Sequence, residues 1–197
     1  MRTATLTNVL LVRPGATEFD EQGRMKGSLD MPLSDRGEAQ AEHLAKELSG
    51  VEVKAIFSSP CESARETARR LARQQHLAGR DVKVKVIDAL RNIDHGLWHG
   101  KLIDEVRRNH PRFYRQGEDF PEAFCPPGGE PVGDAKARVG KALRKCVKRA
   151  REGVIAMVIP DPMATVVESI LSGDELKSVW DSETDSASWS MIETELG

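Results

Sequence analysis

The sequence is poor in cysteine, has no long apolar run and has no glycine-rich loop of the kind that binds nucleotides. Its three cysteines are an odd number at wide spacings, which argues against a disulfide framework and against a cysteine-rich metal site. The first apolar run, Val9 to Val12, is much too short for a signal peptide or a membrane span, and no later run approaches that length. We therefore expect a cytoplasmic protein without a membrane segment, a metal or a cofactor.

The length and composition of the chain fit one ordinary domain. With 197 residues, of which 39% are hydrophobic and 30% charged, the chain can bury a single core but is short for two. We therefore expect one domain over residues 1–197.

Short apolar segments alternate with segments whose apolar residues recur at helical spacing. Ser34 is a favourable N-cap and Gly50 a favourable C-cap for one of these helices. The alternation implies an α/β protein with a mainly parallel sheet that helices cover on both faces. The predicted strands are residues 8–12, 53–57, 82–87, 154–159 and 188–192, and the predicted helices lie between Ser34 and Gly50 and around residues 64–72, 101–109, 135–150 and 163–171.

Two proline-containing breaks, at residues 13–15 and 160–162, follow two of the predicted strands. Ligands of open α/β sheets sit outside the carboxyl ends of the strands, so these breaks are candidates for a ligand site. The segment from Pro111 to Gly133 is rich in proline, glycine and aromatic residues, and we interpret it as a loop-rich insertion.

Charge is unevenly distributed, although the net charge is only −2. The segment from Lys136 to Arg151 holds eight basic and no acidic residues, whereas residues 164–197 hold eight acidic residues and one lysine. These segments either have solvated faces, or partly neutralise each other, or the basic helix binds an anionic partner. Neither a membrane nor a nucleic acid is expected as a partner, and a homo-oligomer is left open.

Several short motifs occur in the order and spacing of a known family. They are Leu10 to Thr17, Gly23-Arg24, Pro32 to Gly37 with Gln40-Ala41, Ser58 to Pro60 with Thr67-Ala68, and Pro127 to Glu130. Together they resemble the histidine phosphatase superfamily, in its phosphoglycerate mutase-like group. The resemblance implies a three-layer α/β/α sandwich with a small helical cap over the active site, here residues 101–133.

Active members of this family use five side chains. A histidine after the first strand attacks phosphorus, a second histidine and two arginines bind the phosphate, and a carboxylic acid protonates the leaving group. In this chain Pro14 and Pro160 align with the histidines, Ser63 with the second arginine and Asn92 with the acid, so only Arg13 matches the family. A proline nitrogen in a peptide has no basic lone pair, so phosphohistidine chemistry cannot start at Pro14.

Other polar residues near these positions are expected to line the former phosphate site. Asp20 stands where the family often has asparagine, and Asp161 directly follows the second proline. Asp94 and His95 lie on the loop that carries the lost acid. The added carboxylates and the lost cations would oppose the binding of a phosphate dianion in a partly desolvated cleft.

The leading hypothesis is a pseudophosphatase that keeps the fold and serves in binding or regulation, with an unknown small molecule or protein as its partner. The alternative is a weak or divergent phosphatase, or another hydrolase, that uses His95, His99, Asp94 or a metal-bound water. A third reading, in which the chain is chiefly a structural or oligomeric subunit, also stays open at this point.

Overall fold

Five strands lie among the residues that the computed structural model describes, which are 7–149, 153–176, 178 and 186–195. They are β1 (Thr7–Val12), β2 (Val53–Ser58), β3 (Val84–Val86), β4 (Val154–Val158) and β5 (Trp189–Thr194). The strands form one sheet in the order β3-β2-β4-β1-β5. The first four run parallel and β5 pairs antiparallel with β1, so the predicted mainly parallel sheet is confirmed.

Seven α-helices occur in the same described ranges. The long helix after Ser34 begins as predicted, because the Ser34 side chain accepts a hydrogen bond from the amide of Gly37. The helices are α1 (Glu18–Glu21), α2 (Asp35–Glu47), α3 (Glu62–Leu77), α4 (Ile103–Asn109), α5 (Pro111–Asp119), α6 (Val132–Arg149) and α7 (Met163–Ser172).

The sheet separates two hydrophobic cores, which makes the fold a three-layer sandwich. Leu10 and Val12 of β1 face α2 and α3, whereas Val9 and Leu11 of the same strand face α6 and α7. Successive side chains of a strand point to opposite faces, so a central strand with a core on both sides is continuously apolar. This explains why residues 9–12 of β1 and all five residues of β4 are apolar.

The structure corrects two predicted boundaries. Strand β3 covers Val84–Val86 rather than residues 82–87, because this edge strand pairs on one side only, with Ile56 to Ser58. The stretch predicted as loop-rich contains the helix α5, which begins at Pro111. Proline is well tolerated at the first position of a helix, because the amide hydrogen that it lacks would have no bonding partner there. The stretch therefore resembles a helical cap more than a loop.

No helix in the described part of the chain is both long and apolar enough to cross a membrane.

Candidate functional site

The carboxyl ends of β1 and β4 are neighbours, because Val12 pairs with Val158. Pro14 and Pro160 follow these ends, and both prolines line one cleft. The cleft has a volume of about 30 Å³, which leaves room for only a few water molecules. Its charged lining residues are Arg13, Asp20, Arg24, Lys26 and Asp161.

Arg13 is held by two carboxylates instead of facing an open anion site. Its Nε donates to Asp161 Oδ2 at 2.6 Å, and its Nη2 donates to Glu168 Oε2 at 3.0 Å and to Thr165 Oγ1 at 3.4 Å. Burial lowers the pKa of Arg13, but attraction to Asp161 and hydrogen bonds to both carboxylates outweigh burial and raise that pKa above its ordinary value. The guanidinium is therefore charged and already neutralised.

Asp161 and Glu168 reach Arg13 because of the position of α7. Asp161 lies just before this helix, and its Oδ1 accepts hydrogen bonds from the amide and hydroxyl of Thr165 at 3.2 and 3.0 Å. Thr165 and Glu168 follow Asp161 by four and seven residues, a spacing that places side chains on one helical face. Sequence reasoning missed Glu168, although this spacing was the available signal.

Asp20 lines the cleft, but its charge is paired. Lys26 Nζ donates to the two Asp20 oxygens at 2.9 and 2.8 Å, and the Thr17 amide donates to Asp20 Oδ2 at 2.7 Å. Arg24 also lines the cleft and donates to the Gly100 carbonyl at 2.7 Å. Sequence reasoning missed both Lys26 and Arg24.

The charges at the cleft are balanced rather than negative in excess. Three cations stand against three carboxylates once the partner of Arg13 on α7 is included: Arg13, Arg24 and Lys26 against Asp20, Asp161 and Glu168. The expected loss of cations and gain of carboxylates relative to the family stays a prediction. Arg13 and Lys26 are already paired with carboxylates, which opposes an added anion, whereas Arg24 bonds, among the described residues, only to neutral oxygens of Gln22 and Gly100.

Asn92 joins three backbone segments at the edge of the cleft and is only 3% exposed. Its Nδ2 donates to the carbonyls of Gly27 and Asp161 at 3.0 and 2.6 Å, and its Oδ1 accepts from the Met163 amide at 3.1 Å. Both ends of the Asn92 amide are thus used in holding the backbone.

Ser63 is buried on α3 and is not among the residues that line the cleft. Its carbonyl accepts from Thr67 Oγ1 at 2.9 Å, and the same Oγ1 accepts from the Gly15 amide at 3.2 Å. Arg65 does not replace the missing arginine, since its Nη2 lies 3.8 Å from Asp30 and the side chain is absent from the cleft lining.

Asp94 and His95 do not line the cleft, which corrects their predicted placement. His95 is 2% exposed and packs against the ring of His99. Burial lowers the pKa of His95 to about 4, His99 adds to this effect and Asp94 opposes it, so the ring is neutral at pH 7. His99 Nε2 accepts from the amides of His95 and Ser28 at 3.2 and 3.3 Å. Both rings therefore serve the packing of this loop.

The basic helix α6 carries two kinds of cation. Lys136 pairs with Glu122, and Arg138 binds Glu130 at 2.6 and 2.7 Å. Four further cations are exposed and have no ion-pair partner among the described residues: Lys141, Arg144, Lys145 and Lys148. Arg151 and the side chain of Arg149, which belong to the predicted basic segment, lie outside the described residues.

Within the described ranges, no three histidine, cysteine, aspartate or glutamate side chains are grouped so that they could hold a metal ion.

The sequence matches known phosphatases and mutases along most of its length. The profile of the histidine phosphatase superfamily, branch 1, covers residues 9–197. Phosphoserine phosphatase 1 of Hydrogenobacter thermophilus is 32% identical over 190 residues, which cover 96% of this chain and 88% of that protein. The probable phosphoglycerate mutase GpmB of Salmonella choleraesuis is 28% identical over 143 residues, which cover 73% of this chain and 64% of that protein.

Solved structures agree with this match. YhfR of Bacillus stearothermophilus superimposes with a TM-score of 0.79 at 27% identity, over 94% of this chain and 90% of that one. A mycobacterial glucosyl-3-phosphoglycerate phosphatase gives a TM-score of 0.80 at 22% identity, over 95% and 90% of the two chains, and at this identity the likeness shows the fold alone. Since the family profile spans nearly the whole sequence and the fold agrees with it, the chain belongs to the histidine phosphatase superfamily, branch 1.

Proposed function

We propose that this chain is a pseudophosphatase, which keeps the fold of its family and acts by binding a small molecule or a protein rather than by phosphoryl transfer. The observation that carries the proposal is the state of the cleft. Proline stands at both positions where the family has histidine, and the remaining Arg13 is clamped between Asp161 and Glu168.

Each missing group removes a separate step of the family's chemistry. Pro14 offers no nitrogen lone pair for attack on phosphorus, and Asn92 has no acidic proton for a leaving group. A phosphate that took the Nε and Nη2 edge of Arg13 would have to displace Asp161 at 2.6 Å, in a site where both side chains are about nine-tenths buried. Such a charge pair is costly to break, because the displaced carboxylate would be left without its cation.

The names of the relatives point towards an active enzyme, since they describe phosphatases and mutases. Those names state what the relatives do. For this chain, the residues at the cleft support the loss of activity more strongly than family membership supports its retention, because no step of the family's mechanism can use a proline nitrogen.

The divergent hydrolase is the competing proposal, and the geometry gives it little support. His95 is buried and neutral, and His99 is occupied by two backbone amides. Neither ring lines the cleft. A replacement nucleophile would have to work away from the carboxyl ends of β1 and β4.

One surface of the protein, on α6, suits the binding of an anionic partner. The exposed cations of α6 lie at positions 141, 144, 145 and 148, which share one side of the helix. These four side chains have no acidic partner among the described residues, and such a cluster of like charges suits an external anion. We include this helix face in the proposal as a docking surface for an acidic partner.

The proposal is tested by assaying the purified full chain with p-nitrophenyl phosphate and phosphoserine, with and without Mg²⁺ and Mn²⁺. We expect no turnover above the protein-free background. Turnover that is lost in His95→Ala or His99→Ala, but kept in the surface control His43→Ala, would overturn the pseudophosphatase and support the divergent hydrolase.

A further inference from the structure

A second cavity lies beside the closed cleft and is much larger. Its volume is about 190 Å³, against about 30 Å³ for the cleft, and Gly27 borders both. Its walls come from the loop at residues 27–30, from the turn Ser59 to Cys61, and from Arg91 with Asn92. The turn follows the carboxyl end of β2, the edge of an α/β sheet at which ligands are bound.

One wall of this cavity contains a buried hydroxyl without a partner. Ser59 is fully buried, its amide donates to the Val158 carbonyl at 2.9 Å, and its carbonyl accepts from Ser58 Oγ at 2.8 Å. Its own Oγ has no hydrogen-bond partner among the described residues. A buried hydroxyl in this state carries an uncompensated desolvation cost. Because Ser59 has no accessible surface, a ligand oxygen would remove this cost only after a small movement of the turn that exposes Oγ to the cavity.

Arg91 is the cation at the same cavity, and nearby carboxylates neutralise its charge only weakly. It contacts Asp88 at 3.1 Å, where Asp88 is 86% exposed, and lies 3.9 Å from Glu130. Glu130 is already engaged by Arg138 at 2.6 Å. Arg91 is therefore available to a ligand, and a guanidinium fork matches a carboxylate in bidentate geometry.

Asp30 is the carboxylate at this cavity, and both of its oxygens already have partners in the protein. Its Oδ1 accepts from the Glu62 amide at the start of α3 at 2.5 Å, and its Oδ2 lies 3.8 Å from Arg65. It would repel a phosphate dianion at a cavity that offers a single arginine. The charges therefore favour a monoanion.

We propose that this cavity binds a small monocarboxylate with a hydroxyl or carbonyl oxygen and an otherwise apolar body. The carboxylate pairs with Arg91, the oxygen accepts from Ser59 Oγ, and the apolar body lies against Pro60 and Cys61. The proposal rests on the proposed function in one respect, since it gives the binding role to this cavity and none to the phosphate cleft.

The probes are 3-hydroxybenzoate and 4-hydroxybenzoate, titrated by calorimetry and by ligand-observed NMR into the full chain. We expect at least one to bind, about tenfold more tightly than its uncharged hydroxybenzamide. Arg91→Gln is expected to weaken binding about tenfold, and Ser59→Ala about fivefold. Arg112→Gln, an exposed arginine on α5, is the matched control and is expected to change nothing.

Two further readouts locate the ligand and separate folding from binding. Ser59→Ala breaks no hydrogen bond within the described residues, so its Tm is expected to equal or exceed that of the parent. Bound hydroxybenzoate is expected to slow alkylation of the half-buried Cys61 by iodoacetamide, with the exposed Cys125 as an internal control.

No binding of either probe at millimolar concentration would overturn this proposal, as would binding that Ser59→Ala and Arg91→Gln leave unchanged. Turnover of phenyl phosphate by the same preparation would contradict the pseudophosphatase proposal and would leave the cavity proposal unaffected. The two proposals therefore fail in different measurements.

Discussion

At the scale of single residues, the polar side chains at the cleft are occupied by ion pairs and hydrogen bonds to one another and to the backbone. Arg13 donates to Asp161 through Nε and to Glu168 through Nη2. Asn92 likewise occupies the position of the acid and uses its whole amide to hold Gly27, Asp161 and Met163. The polar groups at this cleft therefore bond to one another and to the backbone.

Removing the charge of Asp161 tests how far this pairing stabilises the fold. We expect Asp161→Asn to lower the free energy of unfolding by about 3 kcal/mol, because it leaves Arg13 buried without its nearest carboxylate. The effect of Glu168→Gln is expected to be smaller, since the Glu168 side chain is 40% exposed. Urea unfolding measures both, and the control is Glu38→Gln, whose exposed carboxylate pairs with Arg70 at 3.3 Å. Equal stability of Asp161→Asn and the parent would contradict the assigned role.

His95 gives the protein a pH-dependent stability. The folded pKa is about 4 and the ordinary value is 6.5, so the unfolded chain binds a proton that the folded chain excludes. Stability is therefore lost as the pH falls from 6.5 towards 4, by up to about 3 kcal/mol. We expect His95→Phe to remove this part of the loss when unfolding at pH 7.5 and pH 4.5 is compared. The exposed His43→Gln should keep the parent's full pH dependence, and a His95→Phe profile identical to the parent's would rule out this account.

At the scale of elements, some basic side chains of α6 hold the fold together, and others pair with no described acidic residue. Arg138 binds Glu130 and donates to the carbonyls of Ala89 and Arg91, so it anchors the helix to the loop before Asn92. The four exposed cations lie further along the helix, in its C-terminal half, and bind no described acidic residue. This division separates the part of the helix that holds the fold from the part that is free to bind an anion.

Replacing the exposed cations of α6 tests this surface. We expect Lys141→Gln, Arg144→Gln, Lys145→Gln and Lys148→Gln together to lower the salt concentration that elutes the protein from heparin, because a clustered charge is lost. A variant with four scattered exposed cations changed to glutamine, Arg36, Arg73, Lys83 and Lys85, has the same net charge. If both variants elute at the same salt concentration, α6 is not a preferred anion surface.

At the scale of the whole molecule, the sheet has the family's topology, so restoring the family's catalytic residue types on it tests whether activity returns. Pro14→His, Ser63→Arg, Asn92→Glu and Pro160→His restore the family's residue types, but Arg13 would still be held by Asp161 and Glu168. We therefore expect this fourfold variant to stay inactive.

Adding Asp161→Gly and Glu168→Gln should free Arg13 and give turnover of p-nitrophenyl phosphate about 100-fold above the same variant without Pro14→His. Its stability should fall, since Asn92→Glu gives up hydrogen bonds to three backbone groups. Circular dichroism checks that the variants fold. Activity in the fourfold variant would show that the two carboxylates do not block the site.

The fold was largely predictable from the sequence because its signals are local. The apolar runs gave four of the strands to within about one residue at the start of each, and Ser34 marked the start of α2. The helix α5 was missed because its proline and glycine are typical of loops. The helix packs against Trp98 through Phe113. Its stability comes from contacts that a local pattern does not contain.

The sequence by itself determined that positions 14 and 160 carry no basic nitrogen, because this is a property of proline and no fold can change it. Only the tertiary structure decided the state of what remains. Arg13 meets Glu168 across 155 positions of the chain, and Asn92 meets Met163 across 71. Such pairings, like the burial of His95 and of Ser59, depend on which segments the sheet brings together, and that is set by long-range packing rather than by neighbours in sequence.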